Sequence, residues 1–85
     1  MNRNDHSHKL SELRYLVRSW KDGHDRFQEI VACALGIRPG IQQDLASKFH
    51  VSDCTVCRWM TGVARPHPRM KELIVGFLRE KMLDD

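Results

Sequence analysis

Gln42-Gln43-Asp44-Leu45-Ala46-Ser47-Lys48-Phe49-His50-Val51-Ser52-Asp53-Cys54-Thr55-Val56-Cys57-Arg58-Trp59-Met60-Thr61 is the stretch that decides the fold of this chain. Leu45, Ala46 and Phe49 fall at i, i+1 and i+4. That makes one apolar stripe on a first helix, with the smallest residue, Ala46, where two helix backbones approach most closely. His50-Val51-Ser52 then reads as a tight turn: a residue that must turn left-handed, an apolar plug, and a hydroxyl suited to cap the next helix. Taking Asp53 as zero and about 100° per residue, Val56, Trp59 and Met60 cluster on one arc, while Asp53, Cys54, Cys57, Arg58 and Thr61 occupy the other. One face packs and the other stays free.

The flanking sequence supplies a helical scaffold. Ser7 is a candidate cap for a helix running to about Lys21, in which Leu10, Leu13, Leu16, Val17 and Trp20 repeat at helical spacing and Trp20 is the anchor. Asp22-Gly23 breaks it. Asp25 and Gln28 then stand like a capping box for a second helix ending near Gly36, with Phe27, Ile30, Val31, Ala34 and Leu35 as its buried stripe. Arg38-Pro39-Gly40 separates this from the first helix of the central stretch. Pro66 and Pro68 bracket the start of a last helix carrying Met70, Leu73, Ile74, Phe77, Leu78 and Met82 on one side. The expected fold is all-α with about five helices and no repeats: a polar, frayed tail over residues 1–7 and a single helical domain over 8–85.

Eighty-five residues make one small domain, and 41% hydrophobic with 29% charged residues is ordinary globular composition. No apolar run approaches the length of a membrane span. The polar N-terminus has no apolar signal core, and three cysteines without framework spacing fit a reducing compartment, so the cytoplasm is the expected location.

Two short helices across a tight turn form a helix-turn-helix, here about 41–61, a device for placing one helix in the DNA major groove. The segment resembles the Cro/repressor-type helix-turn-helix family (lambda-repressor-like, XRE). Gln42, Leu45-Ala46, Val51-Ser52, Thr55-Val56, Arg58-Trp59, Gly62 and Pro66 carry the likeness, which extends over roughly residues 24 to 80. It departs from the family at His50, where glycine is usual, and at Cys54 and Cys57, where small polar residues are usual. The resemblance implies a lambda-repressor-like domain with an additional N-terminal helix. It also implies that Gln42 grips a DNA phosphate.

Charge distribution points the same way. Net charge is only +3, yet from Cys54 through Lys71 there are four basic side chains, Arg58, Arg65, Arg69 and Lys71, besides His67, and no acid. That stretch starts in the second helix of the motif and runs where phosphates would lie. The expected base-reading residues are Asp53, Cys54, Cys57 and Arg58, with the Arg58 guanidinium suited to guanine O6 and N7. Two of them have plainer uses: Arg58 as a merely exposed arginine or in an ion pair with Asp53 or a neighbouring helix, and Asp53 as complement to the helix dipole. Gln42, Gln43, Ser52, Thr55, Thr61, Arg65, His67, Arg69 and Lys71 are the expected backbone contacts. For Ser52 and Thr55, capping and helix-edge packing are the commoner employment.

Cys54 and Cys57 form a CxxC, and His50 and His67 lie nearby in sequence, so a zinc site can be counted. It is disfavoured because Thr55-Val56 lies inside a helical pattern instead of a sharp turn. No metal or other cofactor is expected. No nucleophile, base and orienter assemble from the sequence and no glycine-rich loop cradles phosphate, so the chain reads as a non-enzyme. The expected function is a sequence-specific DNA-binding transcriptional regulator, a repressor occupying a palindromic operator. Its partners are double-stranded DNA and a second copy of the chain. Val75 and Met82 suggest the last helix as the dimerising element, although both terminal helices equally suit the core of one protomer. The alternative is a protein-interaction module, an antitoxin or adaptor that docks a partner protein through its apolar helices.

Overall fold

A computed structural model describes residues 3–83, with side chains from residue 8 onward. Among the described residues are five helices and no strand: α1 Arg3–Lys21, α2 Phe27–Ile37, α3 Ile41–Phe49, α4 Asp53–Thr61 and α5 Pro68–Met82. None is long and apolar enough to cross a membrane.

Helix α1 starts earlier than expected. Of the segment 1–7 read as a frayed tail, Met1 and Asn2 lie outside the described residues, but the backbone is helical from Arg3, so Ser7 is inside the helix and does not cap it. No glycine or proline stands between Arg3 and Ser7 to stop the helix from propagating backwards. The capping box at Asp25 and Gln28 does not form either. Arg26 occupies the cap of α2, which puts Asp25 one residue too early; its Oδ1 accepts from Phe27 N at 3.2 Å instead.

One core joins all five helices. It contains Leu13, Leu16 and Val17 from α1, Phe27, Ile30, Val31 and Ala34 from α2, and Ile41, Leu45 and Ala46 from α3. Val56 and Trp59 from α4 and Ile74, Val75 and Leu78 from α5 complete it. Helix α2 is the spine, packed on α1, α4 and α5 and more lightly on α3. Burying a side chain such as Ile30 or Leu45 contributes about 1.5–3 kcal/mol by removal of apolar surface from water. A domain this small therefore needs most of its apolar residues inside.

Helix α5 turns a different face inward from the one its spacing suggested. Leu73 is 60% exposed, whereas Val75 is buried and Met82 is half-buried against the core. Leu73 falls about 100° before Ile74 on the helix, on the flank opposite Val75. The arrival of α1 explains the choice, because Val17 and Trp20 line the same hollow as Val75 and Gly76. Val75 and Met82, which had suggested a second apolar face for dimerisation, are thus spent within the protomer.

Candidate nucleic-acid interface

Helix α4 is fixed at both ends and along its underside. At its start, His50 adopts the left-handed conformation, φ 57° and ψ 46°, as the turn demanded. Val51 N donates to Ala46 O at 2.9 Å and His50 N to Ser47 O at 3.4 Å. These are the two bonds of a Schellman motif, with histidine where glycine usually stands. Ser52 then caps α4, its Oγ accepting from Thr55 N at 3.1 Å and lying 3.0 Å from Thr55 Oγ1. A further clasp comes from Gln42, whose Nε2 donates to Asp53 O at 3.0 Å and so ties α3 to the start of α4.

At the far end Gly62 takes φ 83°, and a Cβ there would stand 2.5 Å from Gln28 Oε1 on α2. The positive φ is what favours glycine at this position, since the end of the flexible Gln28 side chain could move aside for a Cβ. Underneath, Val56 and Trp59 are buried, and Trp59 meets the Phe27 ring edge-on with centroids 6.3 Å apart.

The outward face carries Asp53, Cys54, Cys57, Arg58 and Thr61, all exposed. Among the described residues no ion pair involves Arg58 or Asp53, which leaves Arg58 an exposed arginine free of partners within the protomer. The polar neighbours are engaged within the protomer, Ser52 and Thr55 in the capping role that is their commoner employment. Thr61 Oγ1 donates back to Cys57 O at 3.2 Å, and Ser52 and Thr55 serve the cap.

Gln42, expected as a phosphate grip, also makes contacts within the protomer. Its backbone N donates to Pro39 O at 3.1 Å, and its side chain is engaged with Asp53 O. The other early amides of α3, at Ile41, Gln43 and Asp44, are satisfied by Arg38 and Gly40 carbonyls, which removes the usual unpaired donors of a helix start. Gln43 is exposed beside it.

Beyond α4 the basic stretch divides. Arg65 and Arg69 are exposed, and no ion pair among the described residues involves either. Lys71 is different: only 12% of its side chain is exposed, with Nζ 2.8 Å from Asp25 Oδ2 and 5.8 Å from the Phe27 ring centroid. The Lys71 hydrogen bond holds the Asp25 carboxyl below its ordinary range. Partial burial opposes this, and the Phe27 amide and the nearby positive charges of Lys71 and Arg65 assist it. Lys71 is therefore a strut between α5 and α2 and not a phosphate contact. His67 is likewise engaged, since its Nδ1 accepts from Arg69 N at 3.1 Å to cap α5, which requires that nitrogen unprotonated.

A signal for Lys71 was present in the sequence. With about 100° per residue, Lys71 falls between Ile74 and Val75, inside the apolar arc of α5, where a lysine needs a partner. Gln28 gave none: its place against Gly62 follows from how α2 crosses α4.

Cys54 and Cys57 are exposed free thiols, and among the described residues no group of three His, Cys, Asp or Glu side chains is placed to hold a metal ion. Cys33 is half-buried on α2 and its Sγ lies 3.7 Å from Lys9 O; burial pushes its thiol above the ordinary range. No family model, curated protein or solved structure matches the chain.

Proposed function

We propose that the chain is a sequence-specific DNA-binding regulator of the helix-turn-helix type, with α4 entering the major groove. The supporting observation is the exposed face of α4, where Arg58 stands outward and unpaired while Val56 and Trp59 on the other side are buried. A guanidinium so placed suits bidentate donation to guanine. Cys54 and Cys57 are compact enough to reach base edges beside it, and Arg65, Arg69 and Gln43 suit the phosphates at either side. Gln42, Ser52 and Thr55 serve this reading by fixing the pose of α4. Repression by operator occupancy and a symmetric dimer belong to the same proposal, because major-groove readers of this size gain affinity by binding two half-sites about 34 Å apart.

Selecting bound sequences from a random duplex pool tests it. The expected outcome is a palindromic consensus whose binding weakens steeply with salt. Recovery of no consensus, with stable one-to-one copurification of an unrelated protein, would replace this reading with that of a protein-interaction module. Leu73 on α5 and Tyr15 on α1, each 60% exposed, are the side chains through which such docking would run.

A further inference from the structure

Cys54 and Cys57 put two free, exposed thiols on the outward face of α4, three residues apart in one regular helix. Compactness beside a base edge does not by itself call for sulfur twice. On a helix, residues at i and i+3 are surface neighbours about 60° apart around the axis, with Cβ atoms about 5–6 Å from each other. The ground beneath this pair is firm. Ser52 caps the first turn, Gln42 clasps Asp53 O, and Val56 between the two cysteines is buried.

That spacing discriminates between three fates of a thiol pair. A disulfide needs Cβ atoms about 3.5–4.5 Å apart, so closing one would draw the first turn of α4 together by about 1–2 Å, against its cap and its clasp. A tetrahedral zinc site needs four ligands. Among the described residues no third His, Cys, Asp or Glu side chain is placed to join the two. An ion held in line between two sulfurs fits better. With metal–sulfur bonds of about 2.3 Å, the length of a zinc–thiolate bond, the sulfurs stand about 4.6 Å apart. Rotation about χ1 reaches that separation from the helical Cβ spacing without moving the backbone.

We infer that Cys54 and Cys57 form a two-coordinate site for a soft monovalent cation, of the class of cuprous copper. Thiolate sulfur selects such an ion over magnesium, calcium or manganese, which take oxygen ligands. On binding, two S–H bonds break, two copper–sulfur bonds form and both protons leave to solvent, with no electron transferred. Two thiolates and one monovalent cation leave a single negative charge on the unit. Asp53 lies four residues before Cys57 and Arg58 four after Cys54, so they flank the pair with opposite charges that offset one another. Selection is left to the sulfurs. The inference rests on helix geometry and thiol chemistry, and is independent of whether α4 reads DNA.

The test is a titration of the fully reduced full chain with cuprous ion, in the absence of oxygen, against a chromophoric cuprous chelator. One ion per chain is expected. Cys54→Ser and Cys57→Ser should each weaken binding by about a hundredfold or more, because one arm of the chelate is lost, whereas Cys33→Ser should bind as the parent does. Each of the first two variants still contains two thiols, Cys33 among them, so a loss of affinity reports the spacing and not the count. Circular dichroism checks that the variants stay folded, and X-ray absorption at the copper edge should show two sulfur ligands alone. The inference is overturned if the chelator keeps the copper, if either single variant retains the parent's affinity, if one ion is shared between two chains, if the edge shows a third ligand, or if zinc ion binds as tightly.

Discussion

Within the acid-free run from Cys54 to Lys71, Arg58 on α4 and Lys71 on α5 have opposite fates. Arg58 projects from a helix whose packing is already satisfied by Val56 and Trp59, so its charge is left for something outside the protomer. Lys71 has the same formal charge and lies in the same stretch, yet it is folded under, bonded to Asp25 and laid against Phe27. A basic run in a sequence is thus not a basic surface. Which cations face outward is decided by the rotation of each helix against the core, and that rotation is set by apolar neighbours.

Four substitutions bear on this contrast. Trp59→Ala removes the anchor of α4 and is expected to cost about 3–5 kcal/mol. Against the roughly 5–15 kcal/mol typical of a whole domain, that loss should abolish DNA binding along with much of the stability; urea unfolding measures it. Arg58→Ala should leave unfolding unchanged but remove about 1–3 kcal/mol of discrimination at one base position. If neither affinity nor preference moved, the outward face of α4 would not be the reading surface. Arg69→Ala should weaken all sequences alike and reduce the slope of log affinity against log salt by about one, whereas Lys71→Met should leave that slope untouched.

The smallest effect is on stability. Lys71→Met is expected to cost about 0.2–1 kcal/mol at neutral pH, the range of a pair whose carboxylate is mostly exposed. The pH dependence has a definite sign. Because Lys71 lowers the Asp25 pKa from its ordinary 3.8, the contribution of the pair is complete above that value and disappears as the pH falls through the lowered one. Unfolding of both proteins across the acid range should therefore show the difference between them closing below about pH 4.

Much of this architecture was readable in the residues. Helix spacing gave the five segments, and the left-handed turn at His50 and the Ser52 cap followed from local stereochemistry that tertiary contacts did not override. The free and packed arcs of α4 were readable for the same reason: a nine-residue helix with three apolar residues on one side has one sensible way to lie. What escaped depended on distant partners. Asp25 and Lys71 are 46 residues apart, and only the packing of α5 on α2 brings them together. Spacing alone puts Leu73 inside, but its flank loses to that of Val75 once α1 is in place. The Gln42 clasp escaped because its bond to Asp53 O exists only after α3 and α4 have met.

That last bond has a bearing on how the protein would respond to its surroundings. It joins a carboxamide to a peptide carbonyl, so neither partner titrates and neither attracts a counterion. Changing acidity or ionic strength over the physiological range therefore leaves this clasp between α3 and α4 intact. Should α4 read DNA as proposed, this clasp would add no acid or salt sensitivity of its own to recognition.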